Sequence, residues 1–307
     1  MEISELPRKV LIDKGAVNKI AGVVSGLGKR VLVVVDPITK DIAGDFVSKQ
    51  VEGKLFSISG STIEEVKRAE AEGVDCIISV GGGKVIDVGK LAAHNKKIPF
   101  ISIPTACSHD GIVSKNASIT ENNVSKSFSA TTPFGLIADL DILSKAPYRL
   151  TASGAADIIS NYTSVFDWRL AKEQGEEYDE GAAKLALMSA ELVSSSVKAI
   201  RSKSEGGMRN LVWSLLYSGM SMTLAGSSRP ASGAEHMFSH ALDSLGSKGI
   251  HGEQVGLGAI IFAYLQGQDW KNIKSLLEEV GAPVTAEQAG IGKDLIIEAL
   301  LKAKDIR

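Results

Sequence analysis

Cysteine is nearly absent from the 307-residue chain: only Cys76 and Cys107 occur, without C-x-x-C spacing. That argues against both a disulfide framework and a thiolate zinc site, and Cys76, inside the apolar run DCIISV, reads as buried packing. A strong charge bias is missing too. The formal net charge of -2 argues against nucleic acid or an anionic membrane as the main partner. No apolar run approaches the ~18 residues of a membrane span, and MEISELPRKV lacks the apolar core of a signal peptide, so no transmembrane segment and a cytoplasmic location are expected. What remains, 44% hydrophobic and 23% charged, is the composition of a soluble globular protein, and the length implies two domains.

The first half alternates β-branched runs with amphipathic stretches. Strands are expected at 29–35 (KRVLVVV), 54–58 (KLFSI), 75–80 (DCIISV) and 98–103 (IPFISI), with helices between them. One helix is expected to start at Ser61-Thr62, with Ser61 as cap and Glu64 three residues on. Repeated strand-helix-strand units give an open, Rossmann-like parallel sheet with helices on both faces. After Pro104 the stretch 116–130 reads as a polar hairpin turning at Glu121-Asn122-Asn123, and 134–138 (FGLIA) as one more strand. From about Leu150 the periodicity is helical, with breaks near Gly175, Gly206-Gly207, 227–230, 246–249 and Gly281-Ala282-Pro283. The expected organisation is an α/β nucleotide-binding domain at 1–147 followed by an all-α domain at 148–307.

Chemistry concentrates in two places. Residues 79–90, SVGGGKVIDVGK, put Gly81, Gly82 and Gly83 between a strand and a helix, where backbone amides and the helix N-terminus can cradle pyrophosphate. The spacing differs from G-x-G-x-x-G, and a tight turn without a ligand fits the same residues. Asp36, at the end of VLVVV, is placed to bond a ribose hydroxyl, or Asp36-Pro37 simply ends the strand. Asp36, the glycines and the segment 104–108 should share the carboxyl rim of the sheet. The second place is 233–252, which holds three of the five histidines. His236 and His240 share a helix face and His251 opens the next helical stretch, so two helices can aim imidazoles at one point. Neutral imidazole suits zinc; solvated or core histidines without a metal fit the cluster equally well.

GGGKVIDVGK, IPTACSHDGIVS, SGAADIISN, SRPASGAEHMFSHALD and HGEQVGLG occur in that order. They resemble the signature segments of the glycerol dehydrogenase and iron-containing alcohol dehydrogenase superfamily, and within it most closely the archaeal sn-glycerol-1-phosphate dehydrogenase branch. The resemblance covers about residues 9–265. It implies a dehydroquinate synthase-like architecture and a metal held by Asp157, His236 and His251, with zinc suited to the donors and iron or nickel also compatible. It implies a nicotinamide cofactor, NAD or NADP, on Gly82, Gly83, Lys84, Val85, Ile86, Asp87, Thr105, Ala106, Cys107, Ser108 and Ser114. Asp110 and His240 become catalytic or substrate-facing positions, with Asp157 also at the substrate and His109 structural. For a substrate phosphate Arg229 is the first candidate, because Ser232 is placed to cap the helix carrying His236 and leave amides free near the metal. A surface arginine fits that position equally well, and Lys115, Lys126 and Arg149 are weaker options.

The expectation is therefore NAD(P)H-dependent reduction of dihydroxyacetone phosphate to sn-glycerol 1-phosphate, which in that branch supplies the glycerophosphate backbone of archaeal membrane phospholipids. A homo-oligomer is expected. Glycerol dehydrogenase, with the same metal and no phosphate pocket, is the alternative. A dehydroquinate synthase-type lyase shares the architecture but resembles a Glu/His/His metal set, from which Asp157 departs. A metal-bound nucleotide-binding protein without catalysis would leave Asp110 and His240 idle.

Overall fold

The computed structural model describes residues 6–122 and 124–306. Residues 1–5, part of the N-terminal segment read for a leader, and Asn123 of the expected hairpin turn lie outside them. Among the described residues no helix is long and apolar enough to cross a membrane. Internal contacts divide the chain into two units, Met1–Cys107 with Gly111–Ala146, and Ser108–Asp110 with Pro147–Arg307. Pro147 and the tripeptide 108–110 thus group with the helical unit rather than with the α/β unit, where the sequence division put them.

The α/β unit is built on a six-stranded sheet. Its strands are β1 (Lys9–Asp13), β2 (Val31–Val35), β3 (Lys54–Ser57), β4 (Cys76–Gly81), β5 (Phe100–Pro104) and, after the hairpin β6 (Asn116–Glu121) and β7 (Val124–Ser129), β8 (Gly135–Asp139). The order is β1-β8-β5-β4-β2-β3 and every pairing is parallel. Each residue of VLVVV in β2 is buried, as expected for a strand covered on both faces. The helices α1 (Ile20–Val24), α2 (Pro37–Thr39), α3 (Asp45–Gln50), α4 (Ile63–Glu70) and α5 (Gly83–Lys96) join these strands, and α6 (Leu140–Lys145) follows β8. The core runs from Ile20 and Val23 through Val33, Ile78 and Ile101 to Ile137. Register places Gly81 opposite Pro104, so the turns after β4 and β5 share one rim, and the Thr105 amide donates to Gly81 O at 3.0 Å.

Helix α5 lies close on β4 because Gly89 has no side chain: a Cβ there would collide with Ser79 Oγ. Lys90, next along, is fully buried, and its Nζ donates to Gly111 O at 2.5 Å and Asn116 O at 2.7 Å and pairs with Asp87 Oδ1 at 3.2 Å. A buried ammonium persists only with such a set of acceptors. Its consequence is that the turn leading into β6 is tied to α5.

One local expectation is corrected, and one is placed more closely. Helix α4 is capped by Thr62, which accepts from the Glu65 amide, while the Ser61 hydroxyl donates to Ser118 O. The break expected near Gly206-Gly207 falls at 202–204, between the helices Glu180–Arg201 and Glu205–Ala225, and the two glycines follow it directly. They sit in the first turn of the helix Glu205–Ala225, and the Cβ that Gly207 lacks would strike the backbone of Ala199.

The helical unit contains α7 (Tyr148–Ile159), α8 (Asn161–Glu173), α9 (Glu180–Arg201), α10 (Glu205–Ala225), α11 (Ala234–Ser244), α12 (His251–Leu265), α13 (Trp270–Val280) and α14 (Lys293–Ala303). Three of these meet through small residues. A Cβ on Gly252 would run into the Ser153 carbonyl of α7, one on Gly256 would stand 3.2 Å from Ala156 Cβ, and one on Gly258 2.9 Å from Glu235 Cα of α11. Glycine and alanine here let α7, α11 and α12 approach closely, which bulkier side chains would prevent.

Candidate metal centre and nucleotide turn

Close packing of α7, α11 and α12 brings Asp157, His236 and His251 together. One ligand atom from each lies within 4.8 Å of the others. His236 Nε2 is 3.5 Å and His251 Nε2 3.6 Å from Asp157 Oδ1. Two donors at roughly 2.1 Å from one tetrahedral ion stand about 3.4 Å apart, so these separations match ligands around a shared cation. Asp157 Oδ1 is buried without a hydrogen-bond partner, an arrangement that costs free energy unless positive charge occupies the gap. Both imidazoles turn their other nitrogen away: His236 Nδ1 lies 3.0 Å from Glu235 Oε1 and His251 Nδ1 3.1 Å from Ser239 Oγ. The donor set therefore fits a divalent ion such as zinc.

Electrostatics sharpen this arrangement. Burial pushes the Asp157 carboxyl up, but the rings of His236, His251 and His109 outweigh it and hold the group at about 2. Burial pulls the His236 imidazole down, and Asp157 and Glu235 on either side carry it to about 10. Burial, with His236, His109 and His240 nearby, depresses His251 to about 3 despite Asp157. Asp110 lies beside the cluster: its amide donates to Asp157 Oδ2 at 3.0 Å and its Oδ2 accepts from Ser218 Oγ at 2.9 Å. Burial and the Asp157 charge raise the Asp110 carboxyl to about 6. His240 is half-buried with its ring 6.0 Å from that of His251, and the His109 ring stands 6.1 Å from His251 edge-on.

In the α/β unit, Gly82 caps α5 and Gly83 begins it, with an exposed Lys84 next. A Cβ on Gly82 would meet nothing within 4 Å, whereas one on Gly81 would press on Val85. Val85 and Ile86 are buried, and their amides donate to Gly82 O. Asp87, expected at the cofactor, is tied to the chain. It is buried, its Oδ1 pairs with Lys90, and its Oδ2 accepts from the Ser118 amide at 3.1 Å. Asp36 likewise has its Oδ1 engaged, accepting from the Ile38 and Thr39 amides as the cap of α2. Thr105, Ala106, Cys107, Ser108 and Ser114 are all buried, and burial pushes the Cys107 thiol up to about 12. The Ser108 carbonyl accepts from Ser153 Oγ at 2.9 Å.

The expected phosphate cradle at the start of α11 is corrected. Gly233, not Ser232, is the cap residue, and no side-chain cap bond is made. The Gly233 amide donates to Glu235 Oε1 and the Ala234 amide to Asp167 Oδ2. Carboxylates of the chain therefore occupy the place where an anion would bind. Arg229 is paired with Glu176 at 2.5 Å, and Arg149 with Glu253 at 2.6 Å. Lys126 pairs with Glu121 at 2.7 Å. Glu235 is the site residue that sequence patterning missed. Its one signal is an acidic residue directly before His236 on a buried helix face.

A parallel sheet ending in a glycine turn, followed by a helical unit with an Asp/His/His cluster, belongs to the class of iron-containing alcohol dehydrogenases, whose family profile matches residues 11–147. The fold is similar to that of glycerol dehydrogenase from Schizosaccharomyces pombe, with a TM-score of 0.82 at 21% identity, over 97% of this chain and 83% of that one. Within the class the chain is 49% identical to glycerol-1-phosphate dehydrogenase (NAD(P)+) of Pyrococcus horikoshii, across 100% of this chain and 92% of that protein. It is 46% identical to the enzyme of the same name from Pyrococcus abyssi, again across 100% and 92%. The chain belongs to the glycerol-1-phosphate dehydrogenase family.

Proposed function

We propose that this protein is a metal-dependent, NAD(P)-linked dehydrogenase that interconverts dihydroxyacetone phosphate and sn-glycerol 1-phosphate. The observation that carries the reading is full-length identity of 49% to a glycerol-1-phosphate dehydrogenase. The Asp157, His236 and His251 cluster supports it with a donor set that chemistry of this kind requires. Glycerol dehydrogenase shares the fold at 21% identity, which speaks to architecture alone.

Asp157, His236 and His251 would hold the ion, with zinc the proposed metal. When bound, the ion supplies positive charge against the substrate oxygen and the nicotinamide supplies hydride. Asp110, fixed by Ser218 and by its own amide on Asp157, is placed to accept a hydrogen bond from a substrate hydroxyl. His240 is the candidate relay toward solvent, because it is half-buried beside His251. For the nucleotide, the turn at Gly82 and Gly83 offers backbone approach to pyrophosphate, and Thr105, Ser108 and Ser114 offer hydroxyls. Ala106 and Cys107, both buried, would contribute backbone groups.

The test is a turnover assay on zinc-loaded protein with NADH and NADPH. It compares dihydroxyacetone phosphate with dihydroxyacetone, and in reverse sn-glycerol 1-phosphate with its enantiomer and glycerol. Preference for the phosphorylated ketone and for the 1-phosphate enantiomer is expected, with activity lost on chelation. Preference for dihydroxyacetone and glycerol would remove this reading in favour of a polyol dehydrogenase.

A further inference from the structure

Glu235 has no exposed surface, and a buried carboxylate is tolerated only when its lone pairs are met. Both oxygens accept. Oε1 accepts from the Gly233 amide at 2.6 Å, Ser164 Oγ at 2.6 Å and His236 Nδ1 at 3.0 Å, and Oε2 accepts from Thr163 Oγ1 at 2.8 Å. The pocket is also closed sterically: a Cβ on Gly233 would stand 2.9 Å from Glu235 Oε2, and one on Gly258 2.9 Å from Glu235 Cα. An ionised carboxylate can only accept, so His236 Nδ1 carries a hydrogen, and the nitrogen left to give up its proton to a cation is Nε2, on the side of Asp157.

His251 reaches the same orientation by a weaker device. Ser239 Oγ gives its single hydrogen to Gln254 Oε1 at 2.7 Å and so accepts from His251 Nδ1 at 3.1 Å. That backing is neutral. The His251 side chain is also 30% exposed, against 11% for His236.

We propose that Glu235 is a positioning residue that makes His236 the strongly held ligand of the divalent ion, while His251, backed only by the Ser239–Gln254 pair, is the weaker and more exchangeable one. The inference rests on the reading of Asp157, His236 and His251 as a metal centre. The physical reason is that negative charge behind an imidazole raises the electron density its far nitrogen offers a cation and locks the ring's tautomer and direction. A hydroxyl locks direction without adding charge.

Glu235→Gln separates charge from packing. The amide oxygen can keep the three bonds of Oε1, and the amide nitrogen can donate to Thr163 Oγ1, whose single hydrogen then turns from residue 235 to Ser160 O, 2.8 Å away. The measurement is the zinc dissociation constant of the metal-stripped protein, by competition with a chromogenic chelator, for wild type, Glu235→Gln and Ser239→Ala. The thermal midpoint of each stripped protein serves as the fold check. Glu235→Gln is expected to bind zinc about 10- to 100-fold more weakly, and Ser239→Ala to lose less. An independent readout that needs no variant is the nitrogen–proton correlation spectrum of the histidine rings in zinc-loaded wild type, where His236 is expected with a protonated Nδ1 and a ligated Nε2. Wild-type affinity in folded Glu235→Gln, a loss in Ser239→Ala that equals or exceeds it, or a ligated Nδ1 on His236 would each overturn the proposal. A wild type that binds no zinc would instead overturn the metal-centre reading beneath it.

Discussion

Gly82 and Gly252 both stand at helix starts, one in each unit, and they are glycine for opposite reasons. Gly82 caps α5 with φ -78° and ψ -174°, a backbone any residue can adopt, and the space where a side chain would go is open. Gly252, the second residue of α12, is pressed against the Ser153 carbonyl of α7. The chain itself fills the room that Gly252 leaves. It does not fill the room left by Gly82, so a side chain there would meet no part of the chain. Packing made by the protein brings Asp157, His236 and His251 together, whereas the room at Gly82 stays open to the nucleotide proposed for that turn.

The largest effect expected from this contrast is at Gly252. Gly252→Ala forces α7 and α12 apart at a backbone carbonyl, which cannot swing aside as a side-chain tip can. Overpacking of this kind costs roughly 3 kcal/mol, and His251 and Asp157 ride on the two helices being separated. Loss of tight zinc binding together with a lower unfolding midpoint is expected, measured by metal content after gel filtration and by thermal denaturation. Full metal content at unchanged stability would show that the contact is soft and would break the comparison.

Gly82→Val should behave in the opposite way. A side chain there meets open space, so stability is expected to stay within about 0.5 kcal/mol and zinc content to be unchanged. The nicotinamide KM should rise by roughly tenfold or more, because the branched side chain occupies the approach to pyrophosphate. Steady-state kinetics with varied NADH checks this. An unchanged KM would mean that the glycines make only a turn.

The same distinction between groups the chain satisfies and groups it leaves open explains what was legible in the sequence. Strands β2, β4 and β5 could be read because burial on both faces demands unbroken apolar runs. Strand β1 could not: KVLID is exposed at both ends and only partly buried between them. At α4 the pattern offered two adjacent hydroxyls, each with a glutamate three residues on, and the choice of Thr62 as cap turns on the bond from Ser61 to Ser118, distant in sequence. His236 and His251 declared themselves by local crowding. Asp157 lies on another helix with no local signature and entered only through resemblance. Asp36 and Asp87 carry charge in suggestive places, yet the chain engages them itself, by hydrogen bonds that spacing alone does not reveal.

The smallest effect is expected at Arg229, and it tests whether an engaged group can still serve a ligand. Its guanidinium already pairs with Glu176 on a partly exposed surface, with 28% and 48% of the two side chains accessible. The amides at the start of α11 that would have shared a phosphate with it are bonded to Glu235 and Asp167. A pair this exposed is worth about 0.2–1 kcal/mol, so Arg229→Ala should lower stability by no more than that. It should also change kcat/KM for dihydroxyacetone phosphate and for dihydroxyacetone by the same small factor. Parallel kinetics on the two substrates decide the matter. A loss of more than about tenfold confined to the phosphorylated substrate, equivalent to roughly 1.4 kcal/mol or more, would mean that the Glu176 pair opens to admit phosphate. Satisfaction within the chain would then not disqualify a residue from the site, and the same assay would have to be repeated on Arg149, whose partner is the buried Glu253.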